Sequence, residues 1–342
     1  MPAATGVLSA LAEQSPDPAP QQPGTPSPAT TTLPPVFPDV RPWPPAPAPR
    51  VPIGAFDLAH TLIPFASDRP AGGLGGFNLY IYDLTAQTVL LPPGANTPGD
   101  EFNPSLSQSN RWLVYATNGP GHYEVWLYDL ASQLVNPLPN LNTGPDQESP
   151  VIDGSGTRIT YQSFLGGRYR LRLFELRTQT QFSVAAIDAL GTPILSPYIS
   201  ADGTKLAFAT SIADHQRDIF LYDIPSATLW SPPFVNTPFV EDEPVLSPDN
   251  RLLVFSTTRR GNEDVMLADL RSGFVDPLVL ANSPATELTP SFVGPKANGV
   301  LFVTDRTGKQ DRRMMIFWLD KNALDTLPNA HEPGYLDTFS PP

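Results

Sequence analysis

A repeat of about 46 residues runs through most of the 342-residue chain and constrains its fold more than any other feature. One marker is a proline that leads a short apolar segment, and it recurs at Pro104, Pro150, Pro197, Pro244, Pro290 and Pro333. A second marker is an apolar strand that closes on an acid, and these acids are Asp83, Asp129, Glu175, Asp223, Asp269 and Asp320. Two independent markers share one period, which indicates stacked copies of one structural unit.

Each unit reads as four short antiparallel strands. The fifth unit shows the pattern as EPVLS, a turn at 248–250, LLVFST, the loop TRRGNED, VMLADL, a turn at 271–273 and VDPLVL. The Asn and Gly residues of these turns tolerate the positive φ that tight hairpins require. Four strands per unit is the content of one propeller blade, and apolar residues show no sustained helical spacing. The sequence therefore predicts an all-β fold, a β-propeller.

The number of blades follows from the two markers. Each series has six members, but the two series are offset by one unit. The simplest explanation is that residues 61–92 form three outer strands of the first blade, and that residues 332–339 return to add its innermost strand. We therefore predict that residues 51–342 form a six-bladed propeller closed by the C-terminal strand, with both chain ends fastened in one blade.

The first 50 residues have a different composition. Of the 38 residues from Glu13 to Arg50, 14 are proline, which predicts a disordered, partly polyproline-II tether. PPVFP or RPWPPAP within it could instead be a docking motif for a proline-reading module. Ahead of the tether, Ala10-Leu11-Ala12 matches the small-residue pattern that signal peptidase cuts, although a disordered alanine-rich start explains these residues equally well.

The repeat units resemble those of the TolB-like propeller family. LSPDNRLLVFSTTRRGNEDVMLADLRSG and ISADGTKLAFATSIADHQRDIFLYDI each combine an SPDG-like turn, an apolar strand and a strand ending in an acid, as the exported WD-like repeat of that family does. The resemblance covers roughly residues 60–340. It implies a six-bladed propeller with a periplasmic or extracellular location, of the kind often labelled Tol biopolymer transport protein. TolB has an N-terminal α/β domain where this chain has its tether.

Composition and motifs exclude several classes of function. The net charge of −13 argues against nucleic acid as a partner, and no apolar run is long enough to span a membrane. The chain has no cysteine, no G-x-S-x-G motif and only four histidines, which the repeat places in different loops: His60, His122, His215 and His331. We therefore expect a non-catalytic binding or scaffold module without a cofactor, Ca²⁺ being the one ion kept open. The alternative, by analogy with TolB-like propellers that are lyases, is a lyase or hydrolase acting on an acidic polysaccharide.

Acids just before the Pro-led strands are the candidate binding residues. They are expected to ring one mouth of the central channel: Glu101, Glu148, Asp242, Glu287 and Glu332. Basic residues of the loops between second and third strands are expected to form a rim farther out: Arg168, Arg170, Arg259, Arg260, Arg312 and Arg313. An acidic centre and a basic rim predict a protein or peptide partner with a basic segment, or a cation. A plain solvated face is the other interpretation. The acids that close the third strands are expected to be structural acceptors in turns.

Overall fold

A computed structural model describes residues 56–69, 76–212, 216–294, 296–308, 312–330 and 337–338. The predicted tether, residues 1–50, lies outside the described residues. Six four-stranded antiparallel sheets account for the described strands, and a four-residue helix, α1 (Ala185–Asp188), is the single helix of the described ranges. The prediction of a six-bladed all-β propeller is confirmed.

The strands follow one another blade by blade. Blade 1 contains β1 (Leu62–Ser67), β2 (Asn78–Asp83), β3 (Thr88–Leu90) and the last strand, β24 (Asp337–Thr338). Blade 2 contains β4 (Glu101–Leu106), β5 (Trp112–Thr117), β6 (Glu124–Asp129) and β7 (Leu134–Asn136). Blade 3 contains β8 (Gln147–Ile152), β9 (Arg158–Leu165), β10 (Arg168–Glu175) and β11 (Thr180–Ser183).

The second half repeats this arrangement. Blade 4 contains β12 (Leu195–Ile199), β13 (Lys205–Thr210), β14 (Asp218–Asp223) and β15 (Thr228–Trp230). Blade 5 contains β16 (Glu241–Leu246), β17 (Leu252–Thr257), β18 (Asp264–Asp269) and β19 (Val275–Asp276). Blade 6 contains β20 (Glu287–Val293), β21 (Gly299–Thr304), β22 (Arg313–Trp318) and β23 (Ala323–Thr326).

Antiparallel pairing gives the propeller two different faces. In blades 2 to 6 the chain runs from the innermost strand outward, as in the order β4-β5-β6-β7. The loop between the second and third strands therefore lies on the same face as the connection into the next innermost strand, and we call this the mouth face. The tight turns between first and second strands and between third and fourth strands lie on the opposite side, the turn face.

The C-terminal strand completes blade 1. β24 pairs with β1 through Ala66 with Thr338 and Ser67 with Asp337, and the sheet has the order β24-β1-β2-β3. The innermost strand of this blade thus comes from the far end of the chain, and the expected fastening of the chain in one blade is present.

Apolar side chains fill the junctions between blades. β5 is buried along its whole length and faces both neighbours: Val114 packs with Ile159 of blade 3, while Tyr115 packs with Leu79 of blade 1. Six such clusters are present, one at each junction. Alternate side chains of a strand point to opposite sides of its sheet, which explains why the middle strands carry apolar residues at consecutive positions.

The innermost strands begin before the marker prolines, contrary to the sequence prediction. β4, β8, β16 and β20 each begin three residues ahead of the proline. The residue directly before the proline has a positive φ of 44–53° in five blades, at Asn103, Ser149, Ser196, Glu243 and Thr289, and the pairing register shifts there. A bulge accommodates a proline, which has no N–H for the ladder. The acids that were expected in exposed connections consequently lie within strands.

Candidate functional site

Two residues from each of blades 2 to 6 and one from blade 1 surround the mouth of the propeller. The first residue occupies what we call the loop position. It lies directly before the third strand or, in blade 3, is the second residue of that strand. Its carbonyl accepts a backbone N–H bond of 2.8–3.1 Å from the start of the next innermost strand at Phe77, Tyr123, Tyr169, Arg217 and Glu263. Arg312 directly precedes β22 in the same way. The second, the inner position, lies two residues before the marker proline: Phe102, Glu148, Leu195, Asp242 and Leu288. We call these residues the mouth ring.

Blades 1 to 3 contribute the aromatic half of the mouth ring. The ring centroids of Phe77 and Phe102 are 5.7 Å apart, and those of Phe102 and Tyr123 are 6.1 Å apart, so the three side chains form a continuous series across two blades. Tyr169 continues it in blade 3, where its hydroxyl donates a 2.5 Å hydrogen bond to Glu148 Oε1. These side chains are half-buried and keep part of their surface in solvent. We call this series the aromatic arc.

Two carboxylates hold the loop positions of the aromatic arc. Asp100 Oδ1 accepts the backbone N–H of Phe77 at 2.9 Å, and Asp146 Oδ1 accepts that of Tyr123 at 3.1 Å. Gly76 has a φ of +66°, and a Cβ at this position would lie 2.3 Å from Asp100 Oδ1, so the close approach requires glycine. The same acid-to-loop bond in consecutive blades orients both aromatic residues alike.

Blades 4 to 6 contribute a charged half. Arg217 donates a hydrogen bond to Asp242 Oδ2, whereas Oδ1 of the same carboxylate accepts Ser196 Oγ at 2.7 Å. Glu263 is exposed, and Arg312 is half-buried. The loop positions of this half alternate in sign, whereas its inner positions are Leu195, Asp242 and Leu288.

Glu243 is the most perturbed acid next to the mouth ring. Its side chain is 6% exposed, and its Oε2 accepts the backbone N–H of Thr289 at 2.7 Å, which links the innermost strands of blades 5 and 6. Burial and the neighbouring Asp242 carboxylate raise the pKa of Glu243 to about 8. The Glu243 carboxyl is therefore largely protonated at neutral pH.

Glu101 and Glu287 require a correction, because both are 0% exposed and cannot offer a carboxylate to a ligand at the mouth. Glu101 Oε1 accepts Thr97 Oγ1 at 2.6 Å and Thr117 Oγ1 at 2.9 Å. Glu287 Oε1 accepts Ser283 Oγ at 2.6 Å, Thr304 Oγ1 at 2.8 Å and Arg306 Nη2 at 3.0 Å. The physical reason is the early strand start, which turns these side chains into the blade.

Part of the expected basic rim also turns inward. Arg259 Nη2 is 3.2 Å from Glu241 Oε1 and donates to the carbonyl of Val235 at 2.6 Å, so this guanidinium neutralises a buried acid of its own blade. Arg260 is paired with Asp264 at 3.4 Å. An acidic centre with a separate basic rim therefore does not describe the mouth at blade 5.

The other predicted residues lie close to the mouth or outside the described ranges. Glu148 and Asp242 occupy inner positions of the mouth ring, and burial raises the pKa of Glu148. Arg168 donates to the carbonyl of Gly191 and Arg170 to that of Leu165, both in blade 3. Arg312 and Arg313 are half-buried at the start of β22. Glu332 lies outside the described residues.

The turn face uses its acids structurally. The carboxylates that end β2, β6, β14 and β18 accept backbone N–H bonds of the following turn: Asp83 from Thr85 and Ala86, Asp129 from Ala131, Asp223 from Ser226, and Asp269 from Arg271 and Ser272. Five acids that end third strands each form an ion pair with a basic side chain: His60 with Asp83, Arg111 with Asp129, Arg158 with Glu175, Lys205 with Asp223 and Arg251 with Asp269. The expectation that Asp83, Asp129, Asp223 and Asp269 are turn acceptors is confirmed.

Blade 1 differs because its basic partner is a histidine. His60 Nδ1 is 2.7 Å from Asp83 Oδ2, and Nε2 is 3.2 Å from Asp57 Oδ2. The hydrogen bond with Asp83 raises the pKa of His60 above 6.5. Asn110 of blade 2 donates to the carbonyls of Leu58 and His60 at 3.0 and 2.7 Å, so the segment joins two blades.

This histidine predicts a pH-dependent component of stability. Because the folded-state pKa of His60 is raised, its ion pairs stabilise the fold fully below the unfolded pKa and are lost as pH rises through the folded value. We expect the thermal midpoint to fall as pH rises above the ordinary histidine pKa of about 6.5. Replacing His60→Gln should flatten this part of the profile in differential scanning calorimetry, and an unchanged profile would contradict the assignment.

The channel has a mixed polar and apolar lining toward the turn face. A cavity of about 370 Å³ lies between the innermost strands, and its walls include Pro104, Val151, Tyr198, Val245 and Phe292. Charged and aromatic groups of the mouth ring thus lie at the other end of the same strands.

Among the described residues, no three His, Asp, Glu or Cys side chains are grouped so that they could hold a metal ion. His60 lies on the turn face and His122 in a loop of the mouth face, while His215 and His331 are outside the described residues. None of the helices in the described part of the chain has the length and apolar character needed to cross a membrane.

Comparison with known proteins identifies the fold. No protein-family model matches the sequence, and no curated protein does. TolB from Acinetobacter baumannii is similar at a TM-score of 0.64 and 17% identity, over 83% of this chain and 68% of that protein. A putative TolB from Agrobacterium tumefaciens is similar at 0.61 and 16%, over 82% and 99%. Oligogalacturonate lyase from Vibrio parahaemolyticus is similar at 0.50 and 13%, over 78% and 73%. The fold is the TolB-like six-bladed propeller.

Proposed function

We propose that the chain is a non-catalytic binding or scaffold module that recognises a protein or peptide partner through its mouth face. The asymmetry of the mouth ring carries this proposal. At the loop position, blades 1 to 3 carry aromatic side chains and blades 4 to 6 carry charged ones, although symmetric packing needs no such division. Half-buried aromatic residues beside charged groups are typical of protein interfaces.

The two faces differ in a way that supports this choice. On the turn face, five acids form ion pairs with basic side chains of their own blades. On the mouth face, Glu263 is exposed, whereas Asp242 is 7% exposed and paired with Arg217 of the preceding blade. A cation such as Ca²⁺ is the second ligand to be tested at this face.

We also propose that the protein is exported to the periplasm or the extracellular space. Ala10-Leu11-Ala12, the absence of cysteine from the sequence and the resemblance to exported TolB-like repeats support this location. Fractionation of cells that produce the full chain, with N-terminal sequencing of the product, tests it directly.

Paired triple variants of the full chain test the binding function. The mouth variant carries Glu148→Gln, Asp242→Asn and Glu263→Gln, and the turn-face control carries Asp83→Asn, Asp129→Asn and Asp223→Asn. Each removes three negative charges and keeps size and polarity. We expect capture from envelope extract, and binding of Ca²⁺ in calorimetry, to weaken about ten-fold or more in the mouth variant, on the scale of up to about 1 kcal/mol per partly exposed charge pair.

The control variant should lose stability and keep its binding. Equal capture by the mouth variant and the parent chain would overturn the proposed use of this face. Thermal unfolding of both variants separates a loss of binding from a loss of folding.

A lyase acting on an acidic polysaccharide is the second candidate, favoured by the similarity to oligogalacturonate lyase at a TM-score of 0.50. β-Elimination of a uronate creates an unsaturated product that absorbs ultraviolet light. Incubation of the chain with oligogalacturonate, with and without divalent cations, therefore separates the two candidates, because product formation that increases with protein concentration would support the enzyme.

A further inference from the structure

We infer that the aromatic arc binds arginine or lysine side chains of a basic peptide segment, which names the partner class for the binding function proposed above and rests on it. The inference starts from the spacing of the arc. Phe77, Tyr123 and Tyr169 are 46 residues apart in sequence and hold the same backbone bond to the next innermost strand. Phe102 and Glu148, also 46 residues apart, occupy the inner positions between them.

The geometry of the rings suits a cation better than a flat sugar. The planes of Phe77 and Phe102 are inclined by 43°, and those of Phe102 and Tyr123 by 52°, so the arc is a row of tilted faces and edges. A single sugar ring that stacks on two of these residues at once would need their faces to lie in nearly one plane. A guanidinium or ammonium group needs only one ring face at a time, within about 6 Å of its centroid.

The charges around the arc select the sign of the ligand. Asp100, Asp146 and Glu148 lie at its edge, within hydrogen-bond distance of Phe77 N, Tyr123 N and Tyr169 Oη respectively. These carboxylates make the aromatic surface attractive to cations and repel an anionic polysaccharide. A net charge of −13 for the chain adds to the same preference.

The protein already uses arginine on aromatic rings in its own blades. Arg259 lies 5.5 Å from the ring centroid of Phe255, and Arg306 lies 5.8 Å from that of Phe302, each beside a buried glutamate. In each of these pairs, one guanidinium group contacts both an aromatic ring face and a glutamate carboxylate. The aromatic arc offers the same two groups at the mouth with solvent above them, so a side chain from a partner can supply the guanidinium.

Peptides of about 12 residues provide the probe. One alternates arginine with serine, and its control replaces arginine by the neutral isostere citrulline. We expect the full chain to bind the arginine peptide in fluorescence anisotropy, with an affinity that falls as salt rises, and to bind the citrulline peptide at least ten times more weakly, since both the cation–π and the carboxylate contacts are lost.

Two double variants locate the peptide on the ring. Phe102→Leu with Tyr123→Leu keeps apolar bulk and removes two ring faces of the arc. Trp230→Leu with Phe274→Leu is the control: it removes two exposed aromatic rings that lie outside the mouth ring and leaves the net charge unchanged. We expect the first to weaken binding of the arginine peptide by roughly ten-fold and the second to change it less than two-fold, on the scale of cation–π contacts.

The outcomes separate this inference from the binding function itself. If the leucine variant of the arc binds the arginine peptide as the parent does, the arc is not the site, while capture through the mouth acids can still hold. Equal binding of the citrulline and arginine peptides would contradict a cationic ligand. Binding of oligogalacturonate that is tighter than that of the arginine peptide, and that the arc variant loses, would contradict it as well. If the double variant unfolds, the single variant Phe102→Leu replaces it. Its thermal midpoint is measured to show that it is folded.

Discussion

Replacing Arg306→Ala should lower the free energy of unfolding by about 3–5 kcal/mol, which is the usual cost of leaving a buried charge without its partner. Glu287 is 0% exposed, and Arg306 Nη2 lies 3.0 Å from its Oε1. Arg306 also donates to the carbonyl of Ala281 at 2.5 Å and lies over the ring of Phe302. The variant therefore loses a charge pair, a backbone bond and packing. Urea unfolding, followed by far-UV circular dichroism, measures the change.

An exposed ion pair on the turn face is the matched control. Arg251 Nη2 is 2.6 Å from Asp269 Oδ2, but 59% of the arginine side chain is exposed. Solvent screens this pair, so Arg251→Ala should leave the unfolding midpoint almost unchanged. Similar losses in the two variants would contradict the view that burial of Glu287 makes the difference.

These inward pairs were beyond the sequence prediction for a specific reason. Glu287 and Arg306 are 19 residues apart, and each belongs to a set of charges that was interpreted separately, one as acids of a connection and one as bases of a loop. Sequence alone does not show that the strand begins before its proline. Because of the bulge at Thr289, the residues before it belong to β20, and the side chain of Glu287 lies inside the blade. A carboxylate is tolerated there only when it is paired or hydrogen-bonded.

The architecture itself was predictable because it depends on period and count rather than on single side chains. The marker prolines define six units, and the offset of the two series indicates a strand shared between the chain ends. The turn acceptors were predictable for a local reason: Asp83 and Asp269 each stand at a strand end with a turn directly after them. Local hydrogen bonds of this kind need no tertiary information.

The aromatic arc left a signal that was overlooked. Phe77, Tyr123 and Tyr169 recur at intervals of 46 residues, yet aromatic residues also fill the cores, as Tyr115 and Phe208 do. Without the backbone bonds that define the loop position, a periodic aromatic residue at the mouth cannot be told from one between blades. Comparing equivalent positions across blades separates them, because packing positions stay apolar in all blades, whereas the loop position changes to Arg217 and Glu263.

Deleting residues 332–342 should destabilise the whole propeller, because it removes β24, the innermost strand of blade 1. β24 pairs with β1 through Ala66 and Ser67 at the inner edge of this blade. Without it β1 has an unpaired edge and the ring can open. We expect one cooperative transition whose midpoint is lower by about 5–8 °C, which corresponds to roughly 3–5 kcal/mol for a domain of this size.

A shorter truncation distinguishes the loss of ring closure from the loss of C-terminal residues alone. Deleting only residues 339–342 retains β24 and should leave the midpoint where it is in the full chain. If fraying were local, the longer deletion would give a small early transition followed by the parent midpoint, because blades 2 to 6 would unfold as before. A ring closed by β24 instead lowers the stability of all six blades together, since each junction is buried only while its neighbours are held. Differential scanning calorimetry of the full chain and both truncations distinguishes these results, and an unchanged midpoint after the longer deletion would show that blade 1 does not depend on its C-terminal strand.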